Sequence, residues 1–313
     1  MISKIFNALK TNKQRKQTKK AFENAYLDFM SNPKRCTDQS AQSILRKAFV
    51  RCGREPLLWA CGVQSQKSAH TPESATSKHF PFLNEDGIKT AVDALNKDGC
   101  YIMPWRMSEP WLAAVKQKAG EYKVRSREDV NDVQIARSIE PKSHTYWHDN
   151  DILNISELKD LVLDEGIKEI IARYLGCTPV LDTIATWWTF PYGEASSGSA
   201  QLYHFDLDRI KWLKVFVYLN DVGLDNGPHA FVKGSHLNVE KKIGRDGRYS
   251  DEDVFAVYPR EDEIVFTGPA GTVIIEDTLG LHKGVPAQKG HRFIFQYDYS
   301  INHFGYPYPE VQL

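Results

Sequence analysis

The spacing of hydrophobic residues changes near residue 181. Before that point, apolar side chains recur every three or four positions, which predicts helices such as those at 88–95 and 167–175. After it, short apolar runs alternate with Gly, Pro, Asn and Asp, which is typical of strands joined by turns. The predicted strands lie at about 182–190, 199–206, 212–219, 229–233, 254–257, 263–267, 272–276 and 292–298. This pattern predicts a mostly β fold, with a double-stranded β-helix (jelly-roll, cupin-like) core and helices before it.

One predicted strand carries an imidazole and a carboxylate at alternate positions. If residues 199–206 are extended, His204 and Asp206 point to the same face. A second imidazole, His282, lies far downstream between two glycines. Two histidines and one carboxylate can hold Fe(II) on one face and leave the opposite positions open for a co-substrate and O₂. We therefore expect His204, Asp206 and His282 to be the metal ligands and the catalytic centre. The other candidates for the distal ligand are His229, His236 and His291.

Arg292 follows the candidate ligand His282 by ten positions and is the first residue of the predicted apolar strand at 292–298. A guanidinium group binds a carboxylate through two parallel hydrogen bonds, with a geometry that lysine cannot reproduce. At the open end of a barrel, such a group suits the far carboxylate of 2-oxoglutarate. The alternative is that Arg292 is an ordinary surface arginine.

Four further sequence motifs lie between Asp206 and His282. They are 212–222, Asn226-Gly227-Pro228, Gly234-Ser235-His236 and 271–277. With the triad and Arg292, they make the chain resemble the phytanoyl-CoA dioxygenase (PhyH) family of Fe(II)/2-oxoglutarate-dependent oxygenases, over about residues 84–299.

The resemblance implies both an architecture and a reaction. The helices before the barrel should pack on the outside of one sheet. 2-Oxoglutarate should chelate the iron through its C1 carboxylate and keto oxygen, while Arg292 holds the far carboxylate. O₂ is then used to hydroxylate an unactivated C–H bond. Related halogenases lack the carboxylate ligand, so the presence of Asp206 favours hydroxylation.

Two further residues are predicted to contact 2-oxoglutarate. Thr186 stands where the resemblance places a hydroxyl, and Lys214 lies on a strand face that can line the co-substrate. For both residues the alternative is packing within the barrel core. Arg209 and Lys211, just past the metal motif, could bind an anionic substrate or could simply be solvated.

The N-terminal quarter of the chain is basic. Residues 1–75 contain fourteen Lys and Arg against five Asp and Glu. We expect residues 1–77 to be a basic region and linker, and residues 78–313 to be the oxygenase domain, because 64–77 is rich in Ser, Thr and Gln. The basic region could touch anionic lipid weakly through an amphipathic helix. Alternatively, that helix packs its apolar side on the body of the protein.

Composition limits the remaining classes. A formal net charge of +0 gives no sign of a nucleic-acid partner, and five scattered cysteines without a CxxC motif argue against a disulfide framework. A cytoplasmic location is the expectation, since Fe(II) needs reducing conditions, and neither a signal peptide nor an apolar run of membrane-spanning length is evident. The expected substrate is a small molecule of lipid, sugar or other metabolite type. The alternatives are a cupin-like metalloenzyme that does not use 2-oxoglutarate, and a non-catalytic jelly-roll binding protein.

Overall fold

Three helices precede the rest of the chain in the computed structural model, which describes residues 2–33, 37–192, 200–237, 239–240, 243 and 246–313. They are α1 (Ile2–Ser31), α2 (Gln39–Cys52) and α3 (Glu55–Lys67). The Asp38 side chain accepts hydrogen bonds from the amides of Ser40 (2.9 Å) and Ala41 (3.2 Å), which caps the start of α2. None of the helices within these ranges combines the length and the apolar character that spanning a bilayer requires.

Further helices flank the strands. They are α4 (Glu85–Asp98), α5 (Glu109–Gly120), α6 (Ser156–Val162), α7 (Glu165–Leu175) and α8 (Asp251–Phe255). The helices predicted at 88–95 and 167–175 are thereby confirmed as α4 and α7. Both end at a glycine in the left-handed conformation, Gly99 with φ 83° and Gly176 with φ 73°. Glycine adopts this conformation without the steric cost that a side chain adds.

The strands form two antiparallel sheets. In chain order they are β1 (Cys100–Ile102), β2 (Lys123–Ser126), β3 (Val133–Ile135), β4 (Thr145–His148), β5 (Val180–Thr189), β6 (Trp212–Tyr218), β7 (His229–Val232), β8 (Glu263–Phe266), β9 (Val273–Glu276), β10 (His282–Gly284) and β11 (Arg292–Ser300). The large sheet has the order β1-β9-β6-β11-β5-β4-β2-β3, and the small sheet has the order β10-β7-β8. The predicted jelly roll with helices before it is confirmed.

Two of the predicted strands are wrong. Residues 254–257 overlap α8, which is capped by Ser250, because the Ser250 hydroxyl accepts a hydrogen bond from the Asp253 amide (3.2 Å). Position 199 lies outside the described residues, and 200–206 contain only isolated bridges, Tyr203 with Tyr249 and His204 with His282. Ala200 has a φ of 58°, which is incompatible with a continuous strand at that residue.

The two faces of the large sheet have different roles. On β6, Phe216 and Tyr218 belong to the apolar cluster between the sheets, whereas Val215 and Val217 belong to the larger cluster shared with the helices. This follows from the alternation of side chains along a strand. The helix-facing side supplies most of the apolar burial, which leaves the interior between the sheets available for polar residues.

Helix α1 packs on the end of the chain. The rings of Phe22, Tyr26 and Phe29 surround Phe304, with centroid distances of 5.9, 5.4 and 5.5 Å. The Asn302 side-chain amide donates to the Tyr26 hydroxyl (2.8 Å) and to Gln64 Oε1 (2.9 Å). These contacts are made by residues 22–29 of α1, whereas the side chains of the predicted amphipathic segment at 2–9 lie outside the described residues. Whether that segment contacts lipid or packs on the body therefore remains a prediction. Whether residues 78–313 fold without residues 1–77 remains a prediction.

Replacing Phe304 by alanine should destabilise the protein by about 3–5 kcal/mol, because it removes a buried ring from three aromatic contacts. The measurement is chemical unfolding combined with limited proteolysis in 68–77, which should become faster as α1 loosens. Phe82→Ala is the matched control, since Phe82 is 70% exposed. Unfolding of Phe304→Ala that matches the wild type would mean that the N-terminal helices contribute little to stability.

Candidate active site

A cavity of about 800 Å³ lies between the two sheets. Its inner part is formed by side chains of β5, β6, β7, β10 and β11 and by residues just before β6. These include His204, Asp206, Lys214, His229, His282 and Arg292. The three predicted metal ligands and Arg292, which are far apart in sequence, therefore share one cavity.

The three predicted ligands converge on one point. One ligand atom from each of His204, Asp206 and His282 lies within 4.8 Å of the others. The Nε2 atom of His204 is 3.6 Å from Asp206 Oδ1, and the Nε2 atom of His282 is 3.3 Å from Asp206 Oδ2. Backbone pairing holds the two histidines together, because each amide donates to the other's carbonyl at 3.0 and 3.1 Å. Asp206 is positioned by its amide, which donates to Thr278 O (2.9 Å).

The hydrogen bonds of both imidazoles prepare them to bind a metal. Nδ1 of His204 is 2.9 Å from the carbonyl of Leu202, and Nδ1 of His282 is 2.9 Å from the carbonyl of Gly280. A carbonyl only accepts, so each Nδ1 carries a proton, and in the neutral tautomer each Nε2 is left with the lone pair that a metal ligand needs. Burial and the neighbouring His282 lower the pKa of His204 to about 3, so its imidazole is neutral. Two neutral Nε2 atoms and a carboxylate fit Fe(II).

Lys214 binds the candidate ligand Asp206. Its Nζ atom is 2.9 Å from Asp206 Oδ2 and 4.0 Å from Asp298 Oδ2. Burial alone would raise the pKa of Asp206, but the ammonium group of Lys214 counters burial and holds that pKa well below its usual value. Lys214 was predicted to contact 2-oxoglutarate. It does line the cavity, but in this structure its charge is committed to two carboxylates, so that predicted role is not favoured.

Arg292 is buried with unused hydrogen-bonding capacity. It is 7% exposed, its Nη2 donates to Thr189 Oγ1 (3.3 Å), and its Nε has no partner among the described residues. Gly284 faces it, and a Cβ at that glycine would lie 3.7 Å from Nη2. A buried guanidinium that lines a cavity without a carboxylate bound to it fits the far carboxylate of 2-oxoglutarate.

Thr186 points away from Arg292. In the pairing of β5 with β11, Thr189 is opposite Arg292, whereas Thr186 is opposite Phe295, which belongs to the helix-facing core. Side chains alternate along a strand, so Thr186 and Thr189 lie on opposite faces. The hydroxyl that reaches Arg292 is therefore that of Thr189. Thr186 is among the residues that line the cavity, but the register turns its side chain away from Arg292, so its contact with 2-oxoglutarate remains a prediction.

The other histidines lie outside the triad. His229 lines the cavity with Nδ1 3.4 Å from Glu276 Oε1, and its ring centroid is 5.5 Å from that of His282. His236 is fully buried against Gly99, where a Cβ would meet its ring at 2.5 Å. His291 contacts Trp188 on the other side of the sheet, with ring centroids 5.0 Å apart.

The two cations that follow the metal motif are also engaged. Arg209 Nη2 donates to the buried Asp182 (2.6 Å), and Lys211 donates to the carbonyl of Tyr174 (2.6 Å). Both are held inside the fold rather than in the cavity lining. The possibility that they bind an anionic substrate is therefore wrong for this structure.

Glu276 was missed by the sequence reasoning. It is fully buried, and neither carboxylate oxygen has a hydrogen-bond partner among the described residues. Burial raises the pKa of Glu276 well above its usual value. The available signal was its place at the end of Val273-Ile274-Ile275-Glu276, because an acid in an apolar strand is uncommon.

A jelly-roll barrel with two histidines, an aspartate and a buried arginine around one cavity defines the class of 2-oxoglutarate-dependent non-haem iron oxygenases. The sequence model of the phytanoyl-CoA dioxygenase (PhyH) family matches residues 95–288, and the chain belongs to this family. Membership of this family makes it an oxygenase that uses iron, 2-oxoglutarate and O₂. No curated protein matches the chain in sequence.

Several solved structures are similar to this chain at low sequence identity. AviO1 from Streptomyces viridochromogenes Tue57 is 18% identical, with a TM-score of 0.49 over 71% of this chain and 97% of that chain. The epimerase SnoN from nogalamycin biosynthesis, in complex with Fe³⁺, alpha ketoglutarate and nogalamycin RO, is 16% identical, with a TM-score of 0.49 over 69% and 84%. EctD from S. alaskensis with bound Fe is 19% identical, with a TM-score of 0.48 over 77% and 85%.

Replacing Lys214 by methionine should destabilise the metal-free protein by roughly 3 kcal/mol, because Asp206 loses its neutralising partner in a buried site. A divalent cation supplies the missing charge, so metal addition should raise the melting temperature more in this variant than in the wild type. The measurement is thermal unfolding with EDTA and then with Co(II). Lys97→Met, at an exposed position, is the control. An unchanged melting temperature in EDTA would contradict the assigned pairing.

Proposed function

We propose that this protein hydroxylates an unactivated C–H bond of a small-molecule substrate, with Fe(II) held by His204, Asp206 and His282. The observation that carries the proposal is the convergence of the three ligand atoms in one cavity with the buried Arg292, whose Nε has no hydrogen-bond partner among the described residues. A cupin-like enzyme that does not use 2-oxoglutarate would have no need for a buried guanidinium at this place. A non-catalytic binding protein would need none of the four.

Each residue has a role that follows from its position. The two imidazoles bind through Nε2 because their Nδ1 protons are committed to carbonyls. Asp206 binds through one oxygen while Lys214 holds the other. Arg292, supported by the Thr189 hydroxyl, holds the far carboxylate of 2-oxoglutarate and so orients its keto acid end toward the metal.

With iron held by His204, Asp206 and His282, the centre would let O₂ oxidise 2-oxoglutarate to succinate and CO₂ and would pass the other oxygen atom to the substrate carbon. The chain's own contribution is to keep three ligands on one face and to exclude bulk water from the buried pocket around Arg292. Related halogenases lack the carboxylate ligand, so a carboxylate at this position favours transfer of hydroxyl rather than halide to the substrate. Asp206 therefore supports hydroxylation.

Replacing His282 by alanine should remove stoichiometric metal binding and the slow succinate formation that occurs without substrate. The reason is that a two-ligand site binds Fe(II) far more weakly and cannot orient the co-substrate. The measurement is metal content after anaerobic Fe(II) loading, together with succinate yield. His291→Ala is the control, since that imidazole faces away from the cavity. Full turnover by His282→Ala would exclude the assigned triad and direct attention to His229.

Replacing Arg292 by alanine should raise the KM for 2-oxoglutarate by about two to four powers of ten. One half of a buried charged pair is lost, at roughly 3–5 kcal/mol. Arg292→Lys keeps the charge but not the two-pronged geometry, so its KM should be intermediate. Fe(II) binding should be unchanged in both variants, because Arg292 is not a ligand.

The outcome separates the possible reactions. Normal 2-oxoglutarate dependence in Arg292→Ala would mean that the co-substrate is anchored elsewhere, with Lys214 the next candidate. A packing defect would weaken metal and co-substrate binding together. A wild-type enzyme with no 2-oxoglutarate dependence would favour the cupin-like alternative. Arg260→Ala, at an exposed arginine paired with Glu263, is the control.

A further inference from the structure

Two arginines line the outer part of the active-site cavity. Arg127 and Arg248, which we call the mouth arginines, are both solvent-exposed members of the cavity lining. Within the described ranges, neither guanidinium forms an ion pair or a hydrogen bond with another residue, although Arg127 lies over the ring of Trp147. Two like charges at one opening repel each other unless an anion lies between them.

The acidic residues of the same lining are committed elsewhere. Asp149 is paired with Arg125 (3.5 Å), outside the lining, and Asp208 accepts from Gln42 and Tyr308, both at 2.7 Å. Deeper in the cavity, Asp206 and Asp298 both neighbour Lys214. Among the described lining residues, Glu310 is the one remaining acid, and it lies at the exposed rim.

The electrostatics of Arg248 connect the mouth to the metal centre. Desolvation lowers the pKa of Arg248, Asp206 raises it, and the positive charge of Arg127 lowers it again. The charges of Arg127 and of the candidate iron ligand Asp206 therefore both affect the pKa of Arg248. Because Arg248 and the candidate ligand Asp206 line the same cavity, an anion bound at Arg248 would place the rest of the substrate in the cavity that contains the predicted metal ligands.

An aromatic wall adjoins the mouth arginines. The indole rings of Trp147 and Trp187 are stacked, with centroids 4.6 Å apart and planes within 18°, and both line the cavity. The Arg127 guanidinium lies 5.7 Å from the centroid of the Trp147 ring. An apolar surface beside a pair of free cations is complementary to a molecule with an apolar body and an anionic group.

We propose that the substrate is an amphiphilic anion. Its carboxylate or phosphate group binds between Arg127 and Arg248, and its apolar or planar body packs on Trp147 and Trp187. This inference rests on the proposed function, because the triad defines which bond is oxidised. The anion site itself is separate from the co-substrate site, since Arg292 is buried on β11.

The test uses four probes of equal chain length: octyl phosphate, octanoate, octanol and octylamine. The full chain is loaded with Ni(II), which prevents turnover, and with 2-oxoglutarate, which occupies the site at Arg292. Probe affinity is measured by calorimetry and by quenching of tryptophan fluorescence. We expect the two anions to bind at least about tenfold more tightly than octanol, as one charge-assisted contact provides. Comparison of the two anions identifies the preferred head group.

Variants assign the preference to the mouth arginines. Arg127→Gln and Arg248→Gln should each weaken anion binding about five- to tenfold and leave octanol binding unchanged. Arg248→Lys should retain more of the affinity than Arg248→Gln. Arg106→Gln is the matched control, because Arg106 is exposed, donates to the carbonyl of Ala270 and lies outside the lining. Both sites are exposed, so the variants should fold.

Each result decides the question. Equal affinity for octanol and the anions, or unchanged anion affinity in both glutamine variants, would overturn the proposal. Tighter binding of octylamine than of the anions would do the same and would point to Glu310. Failure of the wild type to take up Ni(II) and 2-oxoglutarate in the loading step would instead count against the proposed function. In that case the affinities of the four probes for the metal-free protein would still test the anion preference of the cavity.

Discussion

The pairing of His204 with His282 is the contact on which the site depends. Reciprocal backbone hydrogen bonds join two segments that are remote in sequence, and each segment also supplies the carbonyl that fixes its own imidazole. A jelly roll brings such segments together because its two sheets close around one interior. The metal geometry is therefore set by backbone pairing, with side-chain freedom removed before any metal binds. This is the kind of preorganisation that an oxygenase needs.

The barrel interior is unusually polar, and the rest of the fold offsets its cost. Lys214, Asp298 and Gln296 form a buried network beside Asp206, and the part of the chain that the structure describes offers no hydrogen bond to the buried Glu276 side chain. Burying such groups without partners costs roughly 1–3 kcal/mol each, and more where charge is involved. The helices pack on the opposite face of the large sheet, which buries the larger apolar cluster. The site can thus keep charged groups that would otherwise destabilise a small β-barrel.

The sequence predicted the main residues of the site, but it did not predict the contacts that surround them. The motif order identified His204, Asp206, His282 and Arg292, and the structure brings all four to one cavity. His204 and Asp206 share this cavity although 200–206 is not a strand. Backbone hydrogen bonds to residues 278–282 orient these two side chains instead.

Register and partners could not be predicted in the same way. Thr186 and Thr189 differ only in the face they occupy, and that face depends on pairing with β11. Lys214 was placed on the interior face, but its partner Asp206 comes from outside any strand. Local propensity also failed at 254–257, where the cap at Ser250 and the acids of the first turn favour helix over strand. The mouth arginines lie in segments without a recognisable motif, so only the three-dimensional cavity identifies them.

The central claim is that one cavity binds Fe(II) through the triad and 2-oxoglutarate through the metal and Arg292. Anaerobic spectrophotometric titration tests it most directly, since an α-keto acid that chelates Fe(II) gives a visible charge-transfer band that neither component gives alone. The account predicts a band that saturates at one Fe(II) and one 2-oxoglutarate per chain, and that is absent in Asp206→Ala. Stoichiometric Fe(II) binding without any band on addition of 2-oxoglutarate would contradict it.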